Sequence, residues 1–424
     1  MISGLPRLSY LRYFVCHLLL PIFYQDAAKA YRMTDKSQTS PAVNTAGEGI
    51  LRPSTGTIDP EFSKRITALR FVLAVFVVFI HNQVVKEIHF ADGDIIVDMP
   101  TWIQVIHDTF AFYLGGIAVP IFFIISGYLF FAKTKPLGVI IKKKFKGIFV
   151  PYILWTFLAI ILFYIAQSIE YSKPFFTQPE NIIKNWSISD VLESLWARHF
   201  AANPETTLHC PFVAPFWYIR DLMIMMLISP LIKFGASKFP AAWLIFVTIL
   251  NSAEIFGATH IEYGFTIALF FFSLGYYAVN YIGKVIEFID SFKWRDFLIA
   301  YVFSFVLTIY SNMNSLGSGF FDWFNLLFTI CLVFKAAGLV VNNQKLFEKL
   351  AYLSGFSFWI FAAHLPFVLP VMRKLSTKII PMHGAWILVQ FFGVVILCVS
   401  LLLIIGIVIK KWLPKVYALF TGGR

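Results

Sequence analysis

The stretch that decides the fold is RITALRFVLAVFVVFIHN, residues 65–82. It is apolar almost throughout, yet it carries Arg70 near one end and His81 near the other. About 20 apolar residues are enough to span a hydrocarbon core, and ionisable groups inside such a span are costly. The two positions are eleven residues apart, which is close to three helical turns. Both side chains therefore share one stripe, roughly 16 Å apart along the axis. Each has an ordinary reading: Arg70 snorkels to the nearer interface, and His81 is a hydrogen-bonded interfacial histidine. Each also has a functional one. A neutral histidine can take a proton from a hydroxyl. An arginine can hold a phosphate or carboxylate without losing its charge.

The rest of the chain agrees with a membrane setting. Of its 424 residues, 58% are hydrophobic and 14% are charged, against about 25% charged in soluble domains. The apolar residues come in long runs. The expected fold is all-α, a polytopic transmembrane bundle of about ten spans. The spans fall near 66–85, 109–132, 148–169, 216–235, 241–258, 262–282, 296–313, 320–341, 351–372 and 386–409. The formal charge of +12 reads as a positive-inside excess and not as a nucleic-acid surface. No RNA- or DNA-binding motif accompanies it. Cys16, Cys210, Cys331 and Cys398 form no Cys-x-x-Cys pair. No metal-ligand cluster, phosphate-binding glycine loop or bound cofactor is expected.

Loop charges orient the bundle. KTKPLGVIIKKKFKG, residues 133–147, carries Lys133, Lys135, Lys142, Lys143, Lys144 and Lys146 without an acid. With ten spans, Lys233 and Lys238, Lys284 to Arg295, Lys345 and Lys349, and Lys410 to Lys415 fall on that same, cytoplasmic side. The loop 86–108, with Glu87, Asp92, Asp94, Asp98 and Asp108, falls outside. Arg373, Lys374 and Lys378 disagree, since they would be external. Both termini are expected in the cytoplasm, and the long loop 170–215 is expected outside as a lid or acceptor-side platform. Residues 1–60 read as an N-terminal extension: YLRYFVCHLLLPIFY (10–24) is too short to span, and DKSQTSPAVNTAGEG (35–49) is polar enough for disorder. Met33 is a candidate for the true start. Residues 61–412 form the membrane domain and 413–424 a short cytoplasmic tail.

Further polar positions inside or beside spans are candidate pore-lining residues: Arg65, Asn82, Ser126, Trp217, Tyr218, Arg220, Asp221 and His364. Glu254 and Asp322 are others. In GGIAVPIFFIISGYLFF (115–131) the glycines read as close helix packing. The lysines of 142–146 serve either anionic headgroups, at about 1 kcal/mol each, or a phosphate-bearing molecule entering from the cytoplasm. Arg220–Asp221 reads as a local ion pair. His364 is either a packed, satisfied histidine or part of a cavity, with the structural reading slightly favoured.

Taken in order, these stretches resemble the acyltransferase-3 family of integral membrane acyltransferases. ALRFVLAVFVVFIHN resembles its first helix, with the arginine-to-histidine spacing. VPIFFIISGYLFF resembles its second-helix motif, and KKKFKGIFVPYILW its basic segment. FWYIRDLMIMMLISPLI resembles its Trp-Tyr helix, and LSGFSFWIFAAHLPF its late helix. The likeness covers residues 61–412. Lysines stand where the family often has arginines in the basic segment, which favours charge attraction over a bidentate grip. The resemblance implies a ten-helix enzyme of a bacterial plasma membrane. It would move an acyl group, commonly acetyl, from cytoplasmic acetyl-CoA as co-substrate to a hydroxyl of an extracytoplasmic or lipid-linked carbohydrate. It also implies His81 as the catalytic residue and Arg70 as a donor-binding residue, with Lys142, Lys143, Lys144 and Lys146 beside it. His81 would act as general base or carry the acyl group. Membrane lipids and the carbohydrate acceptor are the expected partners. A flippase for a glycan or lipid-linked sugar, and a silent membrane scaffold, are the competing classes.

Overall fold

The computed structural model describes residues 58–84, 87–88, 95–170, 172, 182–196, 210–255, 263–313 and 318–423, all within one compact unit, Leu51–Arg424. The expected N-terminal extension up to residue 57, the side chains of Glu87, Asp92, Asp94 and Glu254, and much of the loop 170–215 lie outside the described residues.

Helix α1, Pro60–His81, starts earlier than its apolar run suggests. Asp59 caps it, accepting a hydrogen bond from the Phe62 N–H at 2.7 Å. Pro60 stands at the first helical position and Glu61 in the first turn. These are the features that satisfy and complement a helix N-terminus. The helix then runs unbroken to His81 and stops at Asn82.

The helical run α2, Thr101–Phe131, is α-helical to Asp108, π-helical over Thr109–Leu114 and α-helical again from Ala118. Helix α3, Leu137–Ser168, begins eleven residues before the expected span. Lysine is a good helix former, so the basic segment continues the helix beyond its apolar part instead of forming a loop. A short helix α4, Ile188–Ser194, has a Ser187–Asp190 capping box.

The fourth expected span is two helices, α5 (Trp217–Leu227) and α6 (Ser229–Lys238), broken at Ile228 before Ser229-Pro230. Pro230 cannot continue a helical ladder. Then follow α7 (Pro240–Ile255), α8 (Tyr263–Ser291), α9 (Trp294–Met313) and α10 (Ser318–Asn342). The ninth expected span is also broken: α11 (Gln344–Ser354), α12 (Ser357–Ala363), a π segment His364–Val368 and α13 (Leu369–Thr377). Helix α14, Trp386–Trp412, precedes α15, Pro414–Thr421. The described strands are one antiparallel ladder of two-residue strands, Glu87–Ile88 with Ile95–Ile96.

Among the described residues, six helical runs are long and apolar enough to cross a membrane: Thr101–Phe131, Leu137–Ser168, Gly264–Ser291, Phe321–Asn342, Ser357–Thr377 and Trp386–Trp412. The other expected spans fall on α1, on α5 with α6, on α7 and on α9, which are not among these six.

Close packing of α2 on α8 centres on two glycines. A Cβ on Gly127 would lie 2.3 Å from the Phe272 carbonyl oxygen, and one on Gly275 would lie 2.6 Å from that of Ile124. Both obstacles are backbone, so any larger residue must push the helices apart. This is small-residue contact of the kind membrane helices use. The C-terminal segment also differs from a free tail. Helix α15 docks on the bundle through Tyr417 Oη to the Gly355 carbonyl at 3.0 Å, and it accepts the Trp155 indole N–H on the Phe420 carbonyl at 2.9 Å.

Candidate active site

The middle and the C-terminal end of α1 meet different surroundings. Midway along Pro60–His81, Arg70 lies on the wall of a cavity of about 500 Å³. Thr67, one turn earlier, shares that wall, as do Ser126, Tyr218, Lys144 and Phe361. Ser126 Oγ and Tyr218 Oη are hydrogen-bonded at 3.1 Å. The remaining wall is largely apolar, so Arg70 and Lys144 are its cationic members. Among the described residues no carboxylate pairs with Arg70. Arg70 is half-buried there, and an arginine can hold an anion without losing its charge.

Lys144 stands apart from its neighbours. It is half-buried on the cavity wall, whereas Lys142, Lys143 and Lys146 are exposed. Of the four lysines expected at a donor site, Lys144 is the one on the cavity wall.

At the C-terminal end of α1, His81 is absent from that wall. Its ring lies 5.3 Å, centroid to centroid, from that of His364. His364 is fully buried, and the Phe361 ring lies 6.4 Å from it. Phe361 thus sits between the cavity, whose wall it joins, and the histidine pair. The three basic residues that break the positive-inside pattern are at this end too: Arg373 Nη1 donates to the Gln83 carbonyl at 3.2 Å, two residues past His81.

Several pore-lining candidates have other posts. Arg65 is not on the cavity wall. It is buried and clamped, its Nε on Glu61 at 3.0 Å, its Nη1 on the Phe334 carbonyl at 3.1 Å, and its guanidinium on the Asp290 carboxylate. It ties α1 to α8 and α10. Asn82 is buried, and its Nδ2 donates to the Phe391 carbonyl at 2.9 Å, pinning the end of α1 to α14.

Arg220 and Asp221 pair at 2.8 Å, as a local ion pair should, and Arg220 Nη1 also reaches the Trp196 carbonyl at 2.9 Å. With Tyr152 Oη donating to the Leu195 carbonyl, they hold the segment after α4. That part of the expected lid is therefore anchored to the bundle. Trp217 packs on Gly264 of α8, where a Cβ would meet its ring at 3.0 Å, and is not on the cavity wall. Ser126 and Tyr218 are.

Thr67 escaped the sequence reading although a signal existed: it lies three residues before Arg70 and so shares its face. Thr421 of α15, also on the wall, had no such signal. Among the described residues no group of three or more His, Cys, Asp or Glu side chains could hold a metal ion.

An apolar multi-pass helical bundle with a cation-bearing cavity beside the middle of α1, and a half-buried and a fully buried histidine side by side at its C-terminal end, defines a class, membrane proteins that keep polar groups inside the bundle. Comparison with known proteins narrows it. The family model described as an acyltransferase domain matches residues 63–406, and the chain belongs to this acyltransferase-3 family of membrane acyltransferases. It is also similar to the succinoglycan biosynthesis protein ExoH of Rhizobium meliloti (strain 1021), 23% identical over 378 residues, covering 87% of this chain and 94% of that protein. No solved structure matches.

Proposed function

We propose that this protein is an O-acyltransferase of a bacterial plasma membrane. It moves an acyl group, acetyl foremost, from cytoplasmic acyl-CoA to a hydroxyl of an extracytoplasmic or lipid-linked carbohydrate. In this reading there are ten spans and both termini are cytoplasmic. The observation that carries it is the layout of α1: midway along it an arginine that no carboxylate pairs with among the described residues, on a cavity wall, and three turns further on, at its C-terminal end, a histidine of the same stripe.

The donor enters at the Arg70 end. Arg70 and Lys144 hold its phosphates, and the mostly apolar cavity takes the pantetheine arm. Its volume falls in the range of about 300–1,000 Å³ usual for ligand pockets. The arm extends along α1 past Phe361 and brings the thioester toward His81. The acceptor hydroxyl loses its proton to His81 as its oxygen attacks the thioester carbonyl. The new C–O bond forms, the C–S bond breaks, and His81 returns the proton to the departing thiolate. Such acid–base assistance contributes about 10²–10⁴-fold. A carbohydrate acceptor is suggested by the similarity to a protein of succinoglycan biosynthesis.

The test uses purified protein reconstituted with the lipid and glycan fraction of the source cells and supplied with labelled acetyl-CoA. Label is expected in the glycan fraction with wild type and not with His81→Ala. Equal transfer by His81→Ala overturns the role of His81. Movement of glycan in the absence of any acyl-CoA, without labelling, favours a flippase instead.

A further inference from the structure

His364 is a buried base whose hydrogen bonding is only half complete. Its Nδ1 lies 2.8 Å from the Phe361 carbonyl and 3.2 Å from the Ile360 carbonyl. Carbonyl oxygens only accept, so Nδ1 carries the proton. In the neutral ring that leaves a lone pair on Nε2. The ring is fully buried and no carboxylate pairs with it among the described residues, so a charged imidazolium would be costly there.

Nε2 has no hydrogen-bond partner among the described residues. Buried polar atoms without partners are rare in native proteins, and each calls for an explanation. The backbone around it is also irregular. His364 opens the π segment His364–Val368, and Leu365 has the extended angles φ −116° and ψ 152°. Segments of this kind often mark functional sites. The neighbouring base is His81, at 5.3 Å between ring centroids.

We propose that His364 is the positioning residue for His81, an inference that rests on the acyltransferase reading. When the acceptor binds, His364 Nε2 accepts a hydrogen bond from the N–H of the His81 imidazole. This fixes the tautomer in which the other nitrogen of His81 presents its lone pair to the acceptor hydroxyl. When His81 takes the hydroxyl proton it becomes an imidazolium, and His364 shares that charge through the same bond. The proton then leaves from the nitrogen that received it, to the thiolate. His364 neither gains nor loses a proton over the cycle. The logic is that of a base oriented by a third group, with a neutral histidine in place of a carboxylate. The rings are not hydrogen-bonded in this structure. Catalytic hydrogen bonds of this sort tighten when substrate binds.

The test separates the lone pair from the packing. In His364→Asn the amide nitrogen still donates to the Phe361 carbonyl, but nothing replaces Nε2. In His364→Gln the longer side chain places an amide oxygen near the Nε2 position, where it can accept from His81. Full-length variants are expressed in source cells lacking the native copy, and their membranes are given labelled acetyl-CoA. We expect His364→Asn to lower kcat by about 10²-fold with the KM for acetyl-CoA unchanged, and His364→Gln to recover part of that loss. Should His364→Asn fail to fold, His364→Met removes the same lone pair with an adaptable side chain and takes its place.

Wild-type kcat in His364→Asn overturns the proposal, as does an equal loss in the Asn and Gln variants with KM rising in both. Absence of transfer by wild type overturns the acyltransferase reading itself, and this proposal with it.

Discussion

Arg65 and Arg70 stand five residues apart on one helix and show how little residue type says about role. Five residues advance a helix by about 500°, so the two side chains point to different faces. Arg65 meets Glu61, Asp290 and the Phe334 carbonyl, and every arm of its guanidinium group is engaged. Arg70 meets a cavity and no carboxylate among the described residues. The first charge is consumed by the fold, and the second is the one proposed to hold a ligand. A buried pair is weak grounds for function, whereas a half-buried charge left without its counter-ion is a standing cost that a ligand offsets.

This contrast can be broken experimentally. The largest effect is expected from Arg70→Ala. Losing a charge-assisted hydrogen bond costs about 1.5–3 kcal/mol, so the KM for acetyl-CoA should rise about 10- to 100-fold, with thermal stability in detergent unchanged or improved. A lowered melting temperature with unchanged KM would make Arg70 a second Arg65.

Arg65→Ala should do the opposite. It should lose about 1–3 kcal/mol of stability, toward the lower end because Asp290 and Glu61 are 39% and 43% exposed and water can replace the arginine. Its KM for acetyl-CoA should stay at the wild-type value. Gly127→Ala belongs with Arg65. It drives a methyl into the Phe272 carbonyl, so melting should fall by the equivalent of about 1–3 kcal/mol, the usual cost of overpacking. The folded fraction should bind donor normally.

The smallest effect separates the lysines. Lys144→Ala should raise KM by about fivefold, near the 1 kcal/mol of a lysine close to an anionic group. Lys142→Ala and Lys143→Ala, both exposed, should leave it unchanged. Equal effects at all three would return the segment to a diffuse membrane-surface role.

The sequence carried the helical membrane fold and the polar stripe of α1, because long apolar runs and a 3.6-residue period are local signals. It misjudged features whose partners are remote. Arg65 looked like a pore residue because Asp290, 225 positions away, cannot be seen from its neighbourhood. The contact of His364 with His81 was likewise invisible, because nothing local brings the two rings together. Asn82 looked polar and available, yet its partner is the Phe391 carbonyl, 309 residues on.

Helix ends were missed for a different reason. Charged residues at 142–146 look like a loop in hydropathy, but lysine continues a helix readily. The breaks at Ile228 and around His364 interrupt apolar runs whose hydropathy stays high throughout.

Donor and acceptor are proposed to meet along α1 from opposite faces of the membrane. This is tested most directly by sidedness. Sealed inverted and right-side-out membrane vesicles, with glycan on the extracytoplasmic side, receive labelled acetyl-CoA in the external medium. Labelling of the glycan is expected only in inverted vesicles, where the cytoplasmic face meets the donor, and only with His81 intact. Labelling in right-side-out vesicles, or equal labelling with His81→Ala, would contradict the account.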